Sequence, residues 1–106
     1  MSFDDRQRAF EKKYEKDVEL QFKVNARRNK LLGVWAAGLM GITGVAAESY
    51  GREIVAADFS EPGDGDVVRK VLQDLTEHGI SMTEHRIRAE MDRLASVAKQ
   101  QIMQEV

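Results

Sequence analysis

The sequence predicts an all-α protein, a four-helix bundle with a mobile N-terminal arm that is continuous with the first helix. Three observations predict this class. Apolar residues recur three and four positions apart, as one face of a helix requires. Strand-like alternation is nearly absent, and the only proline, Pro62, lies in a short breaker segment between helical patterns. The 106 residues, 42% of them hydrophobic, suffice for one small core, and the short connections favour antiparallel neighbours.

The first helix is predicted to run from about Phe3 to Met40, with Gly41 in the left-handed C′ position. Gly33 and Gly38 would let a neighbouring helix approach closely. Only the second half of this helix carries a dense apolar line. The line comprises Leu20, Val24, Leu31 and Trp35, widened by Phe22, Leu32, Val34, Ala36 and Leu39.

The second and third helices follow from caps and periodicity. Thr43 is the predicted N-cap of the second, and Asp64 or Asp66 that of the third. Gly79 would end the third helix, and Ile80 would supply the apolar contact of a Schellman motif. The second helix carries Ala47, Tyr50, Ile54 and Ala57 on one side with Phe59 close by, and the third carries Val67, Val68, Val71, Leu72 and Leu75.

The fourth helix is predicted from Ser81 and Glu84, which have the spacing of a capping box. Its apolar positions recur three and four apart down to the C-terminal end. They are Ile87, Met91, Leu94, Ala98 and Ile102.

The first helix is too long for its neighbours. At about 1.5 Å per residue it would be about 55 Å long, against about 20–35 Å for the others. We therefore divide the chain into an arm, residues 1–17, and a four-helix bundle, residues 18–106. Phe3, Phe10 and Tyr14 share one face of the arm, and burying them alone would not offset the entropy of ordering the segment. The arm is predicted to be mobile when free. A solvated tail, packing onto the bundle and docking on a partner all remain open.

The composition argues against several function classes. The chain has no cysteine, two histidines, a net charge of −2 and a pI near 5.7. These values argue against a thiolate or other metal site and against a general nucleic-acid binder. The sequence begins without a signal peptide, and its longest weakly polar run, Leu31 to Ala47, is too short to span a bilayer. We expect a soluble, cytoplasmic, non-enzymatic protein.

One nucleotide-binding hypothesis comes from the start of the second helix. Free amide groups at a helix N-terminus favour anions, so Thr43 and Gly44 could hold a phosphate with help from Arg27, Arg28 and Lys30. The phosphate-loop motif is absent, because neither its lysine nor a preceding strand is there. The alternative interpretation is a solvated basic face.

Two longer stretches carry a family resemblance: "FDDRQRAFEKKYEKDVELQFKVNARRNKLLGVWAA" and "SYGREIVAADFSEPGDGDVVRKVLQDL". With them the chain resembles, over nearly its whole length, the alphaproteobacterial ATPase inhibitor subunit zeta family. The resemblance implies a bundle whose arm enters a catalytic α/β interface of the F-type ATP synthase head and reaches toward the rotor subunits. There it blocks rotation in the hydrolytic direction.

The same resemblance implies a site, a partner and a location. The protein would be a monomer when free and peripheral to the inner membrane when bound to the synthase. No cofactor is implied, although some members of the family bind ATP or ADP. The implied partner-binding residues are Phe3, Asp4, Asp5, Arg6, Arg8, Phe10, Lys12, Lys13 and Tyr14.

Overall fold

The structure, a computed structural model, describes the backbone of residues 3–59 and 63–105 and the side chains of 18–59 and 63–105. The described residues form four helices and no strand, which confirms the predicted all-α class. The helices are α1 (Phe3–Leu39), α2 (Gly44–Ala57), α3 (Gly65–Glu77) and α4 (Glu84–Glu105). Among the described residues, no helix is both long enough and apolar enough to cross a bilayer.

Each helix runs antiparallel to the one before it. Gly33 of α1 faces Gly51 of α2, and Phe22, further toward the start of α1, lies beside Phe59, just after the end of α2. Helix α2 therefore runs back along α1 toward the arm. The end of α4 also returns to this region, where Glu105 pairs with Arg27. The arm consequently leaves the bundle at the end where α2 and α4 finish.

Two helices end as the sequence predicts, at glycines with positive φ. Gly41 has φ +78° and Gly79 has φ +74°, a conformation that glycine adopts without steric cost. The amide following Gly41 donates a hydrogen bond of 2.8 Å to the Ala37 carbonyl, and the amide following Gly79 donates one of 2.9 Å to the Leu75 carbonyl. These are the long hydrogen bonds of Schellman motifs.

The helix starts differ more from expectation. Thr43 and Asp64 occupy the predicted N-cap positions, but neither side chain makes a capping hydrogen bond. The predicted capping box at Ser81 is wrong. Because α4 begins at Glu84, its N-cap position falls on Thr83, whose hydroxyl accepts a hydrogen bond of 3.1 Å from the Arg86 amide.

The core matches the predicted apolar lines of α3 and α4 closely. All five predicted positions of α4 are buried, and so are four of five in α3, with Leu72 half-buried. In α1 the prediction is wrong at two positions, because Phe22 is 57% exposed and Leu39 is 39% exposed. Both lie near the limits of the bundle. The core comprises Leu32, Ala36, Ala37, Ala47, Tyr50, Ile54, Val67, Val68, Val71, Leu75, Ile87, Met91, Leu94, Ala98 and Ile102.

A glycine pair sets the distance between α1 and α2. A β-carbon added to Gly33 would lie 2.6 Å from the Gly51 α-carbon, closer than atoms can approach without backbone movement. The predicted close approach at Gly33 is thus confirmed. The same expectation for Gly38 is wrong, because nothing lies within 4 Å of a β-carbon there.

A polar network joins α2 to α3 at the edge of the core. The Tyr50 hydroxyl donates to the Asp74 carboxylate at 2.7 Å, and the Lys70 ammonium lies 3.0 Å from the same oxygen. Burial, followed by the hydrogen bond and negative charge of Asp74, raises the pKa of Tyr50 well above its ordinary value. The network therefore holds the phenol in its protonated form.

Candidate functional site

The predicted arm residues lie at the start of α1, and their side chains, like all those of residues 1–17, lie outside the described residues. The mobility of the arm and the roles of its aromatic and charged side chains therefore stay predictions. The described part of α1 begins with exposed side chains at Val18 and Glu19, and apart from the half-buried Leu20 the side chains stay exposed up to Lys23. Half-burial is continuous from Val24, and full burial begins only at Asn29.

The predicted basic residues each pair with a carboxylate on a different element. The Arg27 guanidinium contacts both carboxylate oxygens of Glu105 in α4, at 2.8 and 3.0 Å. The Lys30 ammonium lies 3.2 Å from a Glu48 carboxylate oxygen in α2. Both pairs are solvent-accessible, and such pairs contribute little to stability.

Arg28 is more deeply placed than its two neighbours. Its side chain is 11% exposed, and one guanidinium nitrogen donates to the Asp64 carboxylate at 2.8 Å. The same side chain donates to the Asn29 side-chain oxygen at 3.0 and 3.1 Å. Arg28 thus fixes the start of α3 against α1, with its Nε and Nη2 groups already bonded within the chain.

The start of α2 lies apart from these cations. Gly44 precedes Gly51 by seven residues, which places it about 10 Å along α2 from the Gly33 crossing. Arg27 and Arg28 lie on the other side of that crossing. The structure therefore does not bring Thr43 and Gly44 together with the two arginines, and nucleotide binding at this helix start stays a prediction.

A groove near the end of α4 does bring two of the predicted cations together. It has a volume of about 570 Å³ and is open to solvent. Sequence reasoning missed its third cation, Lys23, and its aromatic wall, Phe22. The signal available for Lys23 was its three-to-four-residue spacing with Arg27 and Lys30 along α1. The lining residues are Phe22, Lys23, Ala26, Arg27, Lys30, Val55, Ile102 and Glu105.

Phe22 also borders a second, smaller cavity on the side facing Phe59. The two rings are tilted by 39°, with centroids 6.0 Å apart, within the range of favourable aromatic pairs. The cavity that both residues line has a volume of about 150 Å³. Sequence reasoning assigned Phe22 to the core, yet both rings are more than half exposed. The missed signal is length: α2 ends at Ala57, too early to cover Phe22.

Asn29 is the only polar side chain among the described residues that is fully buried. Its oxygen accepts the two hydrogen bonds from Arg28 described above, whereas its Nδ2 group has no acceptor within the described part of the chain. The residue also lines the small cavity beside Phe22. An unpaired buried amide donor is costly, so Asn29 is an uncompensated polar group in the bundle.

The described residues contain no cluster of three or more His, Asp or Glu side chains that could hold a metal ion. The two histidines lie apart from the groove and the small cavity. His78 is the C-cap of α3, where its Nδ1 lies 2.8 Å from the Asp74 carbonyl. We find no arrangement of nucleophile and base in this part of the chain.

Comparison with known proteins supports a family assignment. A chain whose structure was determined by solution NMR is 47% identical in sequence, with a TM-score of 0.73. That similarity covers 82% of this chain and 99% of the other. None of the curated proteins matches in sequence. The sequence model of the family described as ATPase inhibitor subunit zeta matches residues 1–101. That match covers the arm, the groove residues of α1 and α2 and most of α4, so this chain belongs to the ATPase inhibitor subunit zeta family.

Proposed function

We propose that this chain inhibits ATP hydrolysis by inserting its arm, as a continuation of α1, into a catalytic α/β interface of the F-type ATP synthase head. The inserted helix blocks rotation in the hydrolytic direction. The observation that carries the proposal is the family match from residue 1 to 101, because it includes the arm. The protein acts as a ligand of the synthase and not as a catalyst.

Packing within α1 supports an arm that acts outside the bundle. Every fully buried side chain of the described part of α1 lies between Asn29 and Ala37. The bundle therefore draws its core from the second half of the helix. A partner with an apolar groove would supply the burial that three aromatic residues of the arm require. The cations Arg6, Arg8, Lys12 and Lys13 would pair with acidic groups beside that groove.

We propose a cellular location and an oligomeric state on the same grounds. The protein acts in the cytoplasm as a monomer and lies peripheral to the inner membrane only when it is bound to the synthase. Because the arm becomes ordered only when it binds, its affinity is lower than that of a preformed helix would be. The aromatic face of the arm provides the specificity.

Deletion of residues 2–17 tests the proposal. The truncated chain keeps the whole described core, so we expect its circular dichroism spectrum to show a folded helical bundle. Inhibition of ATP hydrolysis by the cognate catalytic head should be lost. A matched full-length variant, Phe3→Ala with Phe10→Ala and Tyr14→Ala, should lose most of it. Full inhibition by the folded truncated chain would overturn the proposal.

A second candidate function is binding of ATP or ADP, favoured by the groove that gathers Lys23, Arg27 and Lys30 beside Phe22. Cations would contact the phosphates and the ring would stack on the base. Amide shifts in NMR spectra measure this directly. Saturable shifts around the groove that vanish in Lys23→Gln would support it, and unchanged spectra at millimolar nucleotide would exclude it.

A further inference from the structure

The exposed apolar side chains of the described residues gather at one end of the bundle. Met103 borders a groove with Leu20 and Val24 near the start of the described part of α1. Phe22 and Phe59 lie together on another side of the same helix. The opposite end, where α1 joins α2, has only two such residues. The complete set is Val18 at 54%, Phe22 at 57%, Phe59 at 67% and Met103 at 57% at the arm end, with Leu39 at 39% and Val45 at 82% at the other.

A row of apolar residues connects this end of the bundle to the arm. Phe10, Tyr14, Val18 and Phe22 follow one another at intervals of four residues within the single helix α1. Residues four apart lie one above the other on a helix face. Each step of four residues also turns about 40° around the helix axis, so the row winds slowly and Phe22 lies about 80° around from Tyr14. A partner that follows the row from the arm would meet Val18 and then Phe22.

Phe59 extends the row onto a second element. Its ring lies 6.0 Å from that of Phe22, centroid to centroid, and both residues line the small cavity together with Ala26 and Val55. The polar residues Asn25, Asn29 and Asp58 complete the lining. The two rings and the two aliphatic residues therefore give the cavity an apolar side that suits an apolar side chain of a partner.

We propose that Val18, Phe22 and Phe59, which we call the Phe22 patch, form a second docking surface for the catalytic head of the ATP synthase. This inference rests on the proposed function, because the arm brings the head to the patch. The occupant is a segment of the head with an exposed apolar side chain, which packs against the two rings and enters the small cavity beside them. The arm blocks rotation, whereas the Phe22 patch fixes the bundle against the head and slows dissociation.

The full-length double variant Phe22→Ala with Phe59→Ala tests the inference. A matched control, Leu39→Ala with Val45→Ala, removes exposed apolar groups at the opposite end. We expect the Phe22 patch variant to need at least about ten times more protein for half-maximal inhibition, with complete inhibition still reached at saturation. The control should inhibit like the unmodified chain. Thermal unfolding followed by circular dichroism checks that both remain folded.

The outcomes separate the two proposals. An unchanged half-maximal concentration for the Phe22 patch variant, with inhibition lost on deletion of the arm, would overturn the second docking surface and leave the proposed function intact. Full inhibition by the chain without its arm would overturn the proposed function itself. Equal losses in the Phe22 patch and control variants would also overturn the second surface.

Photochemical crosslinking gives a measurement that does not depend on stability. A benzoylphenylalanine placed at position 59 should crosslink to a subunit of the head in the complex, and one placed at position 45 should not. Crosslinks from position 59 to a second copy of this chain, or equal crosslinking from both positions, would overturn the assignment.

Discussion

Two stretches of the described part of α1, residues 18–28 and 29–39, have different environments. Leu32, in the second stretch, is fully buried, whereas Phe22, in the first, is 57% exposed although its side chain is larger. The difference lies in the neighbours, since α2 has 14 residues, α3 has 13 and α4 has 22, against 37 in α1. Helix length decides which apolar residues of α1 the chain can cover.

The comparison teaches that one continuous helix can serve two purposes. Residues 29–39 contribute fully buried side chains to the core. Residues 18–28 carry exposed apolar side chains at Val18 and Phe22, and exposed apolar patches are typical of interaction surfaces. The boundary falls between Phe22 and Asn29, where the chain's own helices come to an end.

The largest expected effect comes from replacing two leucines of α1, one buried and one exposed, with alanine. Leu32→Ala should lower the free energy of unfolding by about 2–5 kcal/mol, because it leaves a cavity in the core. Leu39→Ala, in a 39% exposed position of the same helix, should cost about 1 kcal/mol or less. Urea denaturation of the full chain measures both, and Phe22→Ala should behave like Leu39→Ala. Similar losses at positions 32 and 22 would break the comparison.

A second pair of variants tests the packing of α1 on α2. Gly33→Ala should destabilise the protein by about 1–3 kcal/mol, because the new methyl group would overlap the Gly51 backbone. The matched variant Gly38→Ala meets no neighbour within 4 Å. It should stabilise the helix by about 0.5–1 kcal/mol. Differential scanning calorimetry distinguishes the two signs, and a gain at position 33 would show that the helices can separate at no cost.

The smallest expected effect concerns the polar network of Tyr50, Asp74 and Lys70. Tyr50→Phe should lower the free energy of unfolding by about 1–2 kcal/mol at neutral pH, because it removes the donor to Asp74. The pKa of Tyr50 is raised in the folded state. Unfolded tyrosine ionises near a pKa of about 10, so its stabilising contribution is present below about pH 10 and lost above it.

Chemical denaturation between pH 8 and about pH 11 measures this linkage. Below the unfolded pKa of about 10, the difference between the unmodified chain and Tyr50→Phe should be constant, and above it the difference should shrink. Groups outside the network of Tyr50, Asp74 and Lys70 contribute equally to both chains and cancel. A difference that stays constant throughout would mean that the Tyr50 hydroxyl ionises equally in the folded and unfolded states.

Local sequence signals predicted the ends of two helices and the core-facing residues of the bundle well. Glycines in the left-handed C′ position end α1 and α3 at Gly41 and Gly79, and periodicity places the core-facing residues of α4, because these features depend only on nearby sequence. The capping box at Ser81 failed because several hydroxyl residues precede α4, and the one that caps it is fixed by where the helix begins.

The candidate site depends on where each helix ends in the folded bundle, which the spacing of residues along the sequence does not reveal. Phe22 fits the apolar line of α1, yet whether it is buried depends on where α2 stops. The pairing of Arg28 with Asp64 and the unpaired amide of Asn29 depend on the docking of α3. Arg28 and Asp64 are 36 residues apart in the sequence, so no local pattern predicts their contact.

Amide hydrogen exchange along α1, in the free chain and bound to the ATP synthase head, tests the central claim most directly. The account predicts slow exchange from Asn29 to Ala37 in both states, because the bundle covers that segment. It predicts fast exchange in residues 3–17 of the free chain and strong protection there only in the complex. Equal protection of residues 3–17 in both states would contradict it, since the chain would then order its own arm without a partner.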